Sequence, residues 1–174
     1  MRLYARVAPS VVAWASLRLT PPLRKVLDVE DVVQEVWCRA LDRLATYDPS
    51  RASFRTWVFG IANHVILKGY RLLGQGAAAP EPSRIETDIA AIPEEITSIS
   101  QKLVRDETLQ RCIERLTQLD DDDRALVIHL GLEGRPAAEV GSLVGASAEA
   151  VAKRWQRLRE RLREMAPFQD LLAP

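Results

Sequence analysis

The sequence predicts an all-α protein built as two small helical domains joined by a flexible linker, and three observations lead there. Leu, Ala, Val, Arg and Glu dominate the 174 residues, a mix that favours helix. Apolar residues recur at helical spacing towards both ends of the chain, and no stretch keeps the period-two alternation of a half-buried strand. Between these regions Gly74-Gln75-Gly76-Ala77-Ala78-Ala79-Pro80-Glu81-Pro82 breaks the pattern, which returns only near Leu103. Such a stretch reads as a tether. The expected units are therefore residues 1–73, a linker over 74–102 and residues 103–174. A short helix around Ile89–Ser100, after Pro93, fits the linker, but the stretch is too weakly patterned to anchor a core.

In the first unit Leu3, Val7, Val11, Trp14 and Leu17 share a helix face until Thr20-Pro21-Pro22 stops it. Asp28 is an N-cap with Asp31 placed for a capping-box pairing, and Val32, Val33, Val36, Trp37, Ala40, Leu41 and Leu44 follow as one face. This helix ends near Tyr47-Asp48-Pro49. Ser53 caps a third helix, whose Phe54, Trp57, Val58, Ile61, Ala62, Val65 and Ile66 make the clearest amphipathic pattern in the chain. In the second unit Leu109, Cys112, Ile113 and Leu116 form one face, and Leu126, Val127 and Leu130 another. The run Asp120–Asp123 between them suits a helix N-terminus, where negative charge is favoured, and its adjacent spacing does not match a calcium loop. A helix over Pro136–Val144, a turn at Gly145 and a long helix capped by Ser147 then make a helix-turn-helix. On that last helix Val151, Trp155, Leu158, Leu162 and Met165 form a stripe, with Lys153, Arg154, Arg157 and Arg161 away from it. The stripe alone also fits a coiled-coil seam, but the glycine turn and short helix before it favour a DNA-reading helix.

The net charge is zero, yet unevenly spread. Residues 1–73 hold 11 Lys/Arg against 6 Asp/Glu and residues 147–165 hold six against three. Local basic faces matter more to nucleic-acid binding than the total. No apolar run approaches the ~20 residues of a bilayer span, and the start has no signal-peptide pattern, so a cytoplasmic protein without membrane insertion is expected. Cys38 and Cys112 have no partner at metal-ligand spacing and read as buried free thiols. No metal site, cofactor or catalytic set is expected: there is no Gly-rich phosphate loop and no nucleophile triad, and His64 and His129 are the only histidines.

The run Asp28-Val29-Glu30-Asp31-Val32-Val33-Gln34-Glu35-Val36-Trp37, then Tyr47-Asp48-Pro49, then Phe54-Arg55-Thr56-Trp57-Val58-Phe59-Gly60-Ile61-Ala62-Asn63, closely resembles domain two of bacterial sigma factors. Leu132-Glu133-Gly134 before the helix-turn-helix and Ser147-Ala148-Glu149-Ala150-Val151 opening its second helix are similar to sigma domain four. The matches span about Leu3–Leu72 and Leu109–Met165. With a short linker in place of domains one and three, the chain resembles the extracytoplasmic-function group of the sigma-70 family.

That resemblance implies a non-catalytic subunit that binds core RNA polymerase and directs promoter recognition, melting and transcription initiation. Asp31, Gln34, Glu35 and Arg39 would dock on the clamp coiled coil of the largest polymerase subunit. Trp57, Asn63, His64, Lys68 and Arg71 would take the minus-ten element, where relatives hold a flipped base of the non-template strand. Ser147, Glu149, Lys153, Arg154 and Arg157 would take the minus-thirty-five element in the major groove. Besides promoter DNA and the polymerase, an anti-sigma factor or other regulator is the implied partner.

The chain departs from its relatives in places. Asparagine sits one position early at Asn63, leaving His64 in the base-selecting slot, and the basic cluster after this helix is thinned to Lys68 and Arg71. Ala150 and Ala152 stand at usual threonine and lysine positions. These departures keep open a second reading, a sigma-derived DNA-binding regulator that does not initiate transcription. A helical adaptor would not need Arg154 and Arg157 on a helix-turn-helix.

Overall fold

A computed structural model describes residues 2–74 and 94–172, and the tether at 75–93 lies outside the described residues. Nine α-helices follow in order among them: α1 (Arg2–Arg18), α2 (Val29–Asp42), α3 (Phe54–Gly74), α4 (Glu94–Val104), α5 (Glu107–Thr117), α6 (Asp121–Leu126), α7 (Ala137–Val144), α8 (Ala148–Leu162) and α9 (Phe168–Leu171). A π-helical turn, Val127–Leu132, continues α6. No strand occurs among the described residues.

Caps set most boundaries. The Asp31 amide donates to Asp28 Oδ1 (2.7 Å) and the Asp28 amide to Asp31 Oδ2 (3.5 Å), the reciprocal pairing that satisfies two first-turn donors of α2. The Thr56 amide donates to Ser53 Oγ (3.1 Å) at the start of α3, and Asp106, Asp120 and Ser147 cap α5, α6 and α8 in the same way. Gly145 closes α7 in the left-handed conformation (φ 69°), which only glycine adopts without steric penalty. Gly141 lets the two helices of the turn approach: a Cβ there would lie 2.5 Å from the Ala146 carbonyl oxygen.

The two helical halves pack against each other. The expected amphipathic face of α1 is only part of its buried surface, because every residue from Ser10 to Ser16 is buried. Small side chains at Ala8, Ser10, Ala13, Ala15 and Ser16 let neighbours pack on all sides, and α1 touches α2, α3, α4, α5, the π-helical turn and α9. A single apolar core therefore runs through both halves, from Trp14 and Phe59 to Leu116, Leu158 and Phe168. The expected linker divides: residues 94–102 belong to α4, which packs on α1 and α2, with Tyr4 Oη and Ser100 Oγ sharing a buried hydrogen bond (2.8 Å).

The tail that follows α8 also has a place in this core. Phe168 and Leu171 of α9 are fully buried, and α9 lies against α1. Cys38 and Cys112 are buried free thiols; burial pushes both up to about 11, so they stay protonated at neutral pH.

Candidate nucleic-acid interface

Helix geometry sorts the predicted residues of α3 into two faces. At 100° per residue, positions 64, 68 and 71 fall within one narrow outward sector, while position 63 is turned away. His64 and Arg71 are exposed and Lys68 half-buried. His64 Nδ1 lies 2.8 Å from the Gly60 carbonyl oxygen. A carbonyl only accepts, so in this contact Nδ1 is the donor. Asn63 faces the other half of the protein, donating to the Phe59 carbonyl (2.9 Å) and reaching Glu133 Oε1 at 3.5 Å. The structure thus separates Asn63 from the other expected minus-ten residues. Trp57 is half-buried in an aromatic group with Tyr47 and Phe54, at centroid distances of 5.2 and 5.7 Å.

On α2 the expected polar face is narrower than predicted. Asp31 is exposed, Gln34 and Arg39 are half-buried, but Glu35 is buried and pairs with Arg39 (Nε to Oε1, 2.5 Å). Packing of α1, α3 and α4 around α2 leaves few of its positions outside, so Glu35 is not available on the surface as expected.

In the helix-turn-helix, α8 buries Val151, Leu158 and Leu162 and exposes Glu149, Lys153, Gln156 and Arg157. Ser147 Oγ accepts from the Ala150 amide (3.2 Å), and Lys153 pairs with Glu149 (2.6 Å) where both are exposed. Arg154, expected as a base reader, is instead held by Asp120, which caps α6, and by Asp122 and Asp123 in its first turn. Its Nε, Nη1 and Nη2 donate to Asp123, Asp122 and Asp120 at 2.6, 2.7 and 2.9 Å. Asp123 also accepts from Arg161 (2.5 Å). Burial alone would raise the Asp123 carboxyl, but the hydrogen bonds from Arg154 and Arg161 outweigh it and hold the group below the usual carboxylate range. The acidic run thus ties α8 to α6 in addition to capping α6. Among the described residues no cluster of His, Cys, Asp and Glu could hold a metal ion.

Two residues that the motif reading did not single out carry the densest polar contacts. Arg55 is buried in the first turn of α3 and its guanidinium bonds to three carbonyls of the C-terminal half. Burial lowers it to about 10, which leaves it charged at neutral pH. Glu133, 2% exposed at its side chain, faces His129 Nδ1 (2.9 Å), Arg135 Nε (2.6 Å) and Trp14 Nε1 (2.8 Å). Burial pushes its carboxyl up, yet the hydrogen bonds from His129 and Trp14 and the charges of His129 and Arg135 prevail and bring it to about 2. The signal for Arg55 was in the sequence: Arg55, Val58, Phe59, Ala62 and Ile66 share one helix face, with arginine at a core position.

The family model for sigma-70 region 2 matches residues 3–74, the segment holding α1 to α3. Over that segment the chain is similar to sigma-70 region 2, and relatives that it resembles along most of its length are named ECF RNA polymerase sigma factors. It is 28% identical over 161 residues to the ECF RNA polymerase sigma factor SigD of Mycobacterium tuberculosis, covering 91% of this chain and 72% of that one. It is 28% identical over 152 residues to the RNA polymerase sigma factor CnrH of Cupriavidus metallidurans (78% and 71% covered), and 26% identical over 154 residues to SigC of M. tuberculosis (88% and 78%). No solved structure matches the chain. No helix among its described residues is long and apolar enough to cross a membrane.

Proposed function

We propose that the chain is a promoter-specificity subunit that binds core RNA polymerase and reads two promoter elements, acting in the cytoplasm. The polar positions of α2, Asp31, Gln34 and Arg39, dock on the clamp coiled coil of the largest polymerase subunit. The outward sector of α3, His64, Lys68 and Arg71, with Trp57 beside it, takes the minus-ten element and favours its melting. The exposed face of α8 takes the minus-thirty-five element through Lys153, Arg157 and the helix end at Ser147 and Glu149. An anti-sigma factor covering one of these faces belongs to the same proposal.

The observation that carries this reading lies in the half beyond the region 2 match. There α7, the left-handed Gly145 and the Ser147-capped α8 form a helix-turn-helix whose second helix keeps its polar outer side exposed. The test is run-off transcription with purified core polymerase on a promoter library. Transcripts that depend on the added chain are the expected result. Sequence-specific DNA binding without transcripts would favour the non-initiating regulator, and neither activity would overturn both readings.

A further inference from the structure

A groove between α8 and α9 has no part in the promoter reading. It holds about 340 Å³ and is lined by Trp155, Gln156, Arg159 and Glu160 of α8, by Arg163 at the C-cap of that helix and by Gln169 of α9. Small-molecule sites span roughly 300–1,000 Å³, so there is room for one compact ligand. Steps of four residues put Trp155, Arg159 and Arg163 in one row along α8.

Two features set this row apart from an ordinary solvated helix face. The first is the indole. Val151, Leu158 and Leu162, its companions in the apolar stripe, are buried, whereas Trp155 is half-buried. Its ring edge is seated on Gly131, where a Cβ would lie 2.8 Å from Cη2 and 3.3 Å from Cζ2 of the indole. Glycine at that point lets the ring pack against backbone, which fixes its orientation while the rest of it lines the groove. The second feature is unpaired charge. Arg154 and Arg161, on the opposite flank of α8, are both held by Asp123. Arg159 has no hydrogen-bond or ion-pair partner among the described residues. Arg163 meets Glu160 at 3.2 Å, a pair of exposed side chains that is worth little in water.

We propose that this groove binds a nucleoside phosphate, with the base stacked on the Trp155 indole and the phosphates on Arg159 and Arg163. Chemistry selects that class of ligand. An aromatic face stacks with any planar base, and a guanidinium matches phosphate oxygens through two parallel hydrogen bonds. The Gln156 and Gln169 amides offer both donors and acceptors to the edge of the base or to sugar hydroxyls. A simple anion would leave the indole unused, and an apolar ligand would leave both arginines unused. Glu160 is the one carboxylate on the groove, and a bound phosphate competes with it for Arg163. Trp155, Arg159 and Arg163 have no role in the promoter reading, so the site stands independently of it.

Isothermal titration calorimetry on the full-length chain, with ATP, adenosine and inorganic tripolyphosphate as probes, tests the site. ATP alone engages both halves, and should bind about tenfold or more tighter than adenosine or tripolyphosphate. Arg159→Gln with Arg163→Gln should weaken ATP to the level of adenosine, and Trp155→Leu should weaken it to the level of tripolyphosphate. Glu160→Gln should tighten ATP several-fold, because the competing carboxylate is gone. Circular dichroism checks each fold; should Trp155→Leu lose its helicity, the exposed arginine and Glu160 variants carry the test. Absence of ATP binding, tripolyphosphate binding as tightly as ATP, or ATP binding indifferent to the arginine pair would each overturn the site. If the arginine pair instead lowers affinity for duplex and its salt dependence while leaving ATP unaffected, Arg159 and Arg163 are DNA backbone contacts and the proposal fails.

Discussion

Replacing Arg154 with alanine distinguishes the two roles that the sequence and the structure give this residue. In the structure its guanidinium spans Asp120, Asp122 and Asp123, linking α8 to the start of α6 across more than thirty residues of sequence. Hydrogen bonds between charged groups are worth ~1.5–3 kcal/mol in protected sites. The Arg154 side chain is 38% exposed and Asp120 and Asp122 more so, which discounts their share heavily. Asp123, 6% exposed at its side chain, retains Arg161 after the change. A loss of about 1–2 kcal/mol of stability follows, measured by urea unfolding. DNA affinity should fall on cognate and scrambled upstream elements alike, because α8 loses its anchor and no base contact is removed. Unchanged stability together with lost discrimination at a single base pair would refute this, and would return Arg154 to the base-reading role that its position suggests.

Three further outcomes follow from the geometry. Glu133 has its carboxyl lowered from 4.5 to about 2, so its contribution, about 3 kcal/mol, is complete above pH 4.5 and lost as pH falls towards 2; urea unfolding at pH 7 and pH 3 should show this loss, and Glu133→Gln should make the pH dependence shallower. Gly141→Ala drives a Cβ to 2.5 Å from the Ala146 carbonyl, so the turn must shift, destabilising the C-terminal half by about 2 kcal/mol or more and abolishing upstream-element binding in a gel-shift assay. His64→Asn replaces an imidazole whose Nδ1 is tied to the Gly60 carbonyl with an amide that offers both donor and acceptor, and should change the base preferred at the flipped position in open-complex assays; identical preference at every base would place His64 outside the pocket.

The helices were legible because their ends are written in short-range chemistry. Asp28 with Asp31, Ser53, Ser147 and the glycine turn act within four residues of sequence, and each does in the structure what the pattern implies. What pattern could not reach is long-range. Nothing local reveals that every residue of α1 from Ser10 to Ser16 is buried. The run Asp120–Asp123 read as a helix-end feature, whereas its further role depends on Arg154 and Arg161 arriving from α8. Glu35 sits on the expected helix and in the expected motif, but its exposure depended on which helices pack against α2. The inward turn of Asn63 and the core position of Arg55 were within reach, since their angular positions on α3 follow from 3.6 residues per turn.

Promoter melting separates an initiating subunit from a regulator that only binds DNA. Permanganate reactivity of thymines over the minus-ten element can be followed with core polymerase alone, with this chain alone and with both together. Reactivity that appears only when both are present, and that falls when Lys68 and Arg71 are replaced by alanine, is the predicted result. A duplex that binds the chain and polymerase together yet stays unreactive would contradict it.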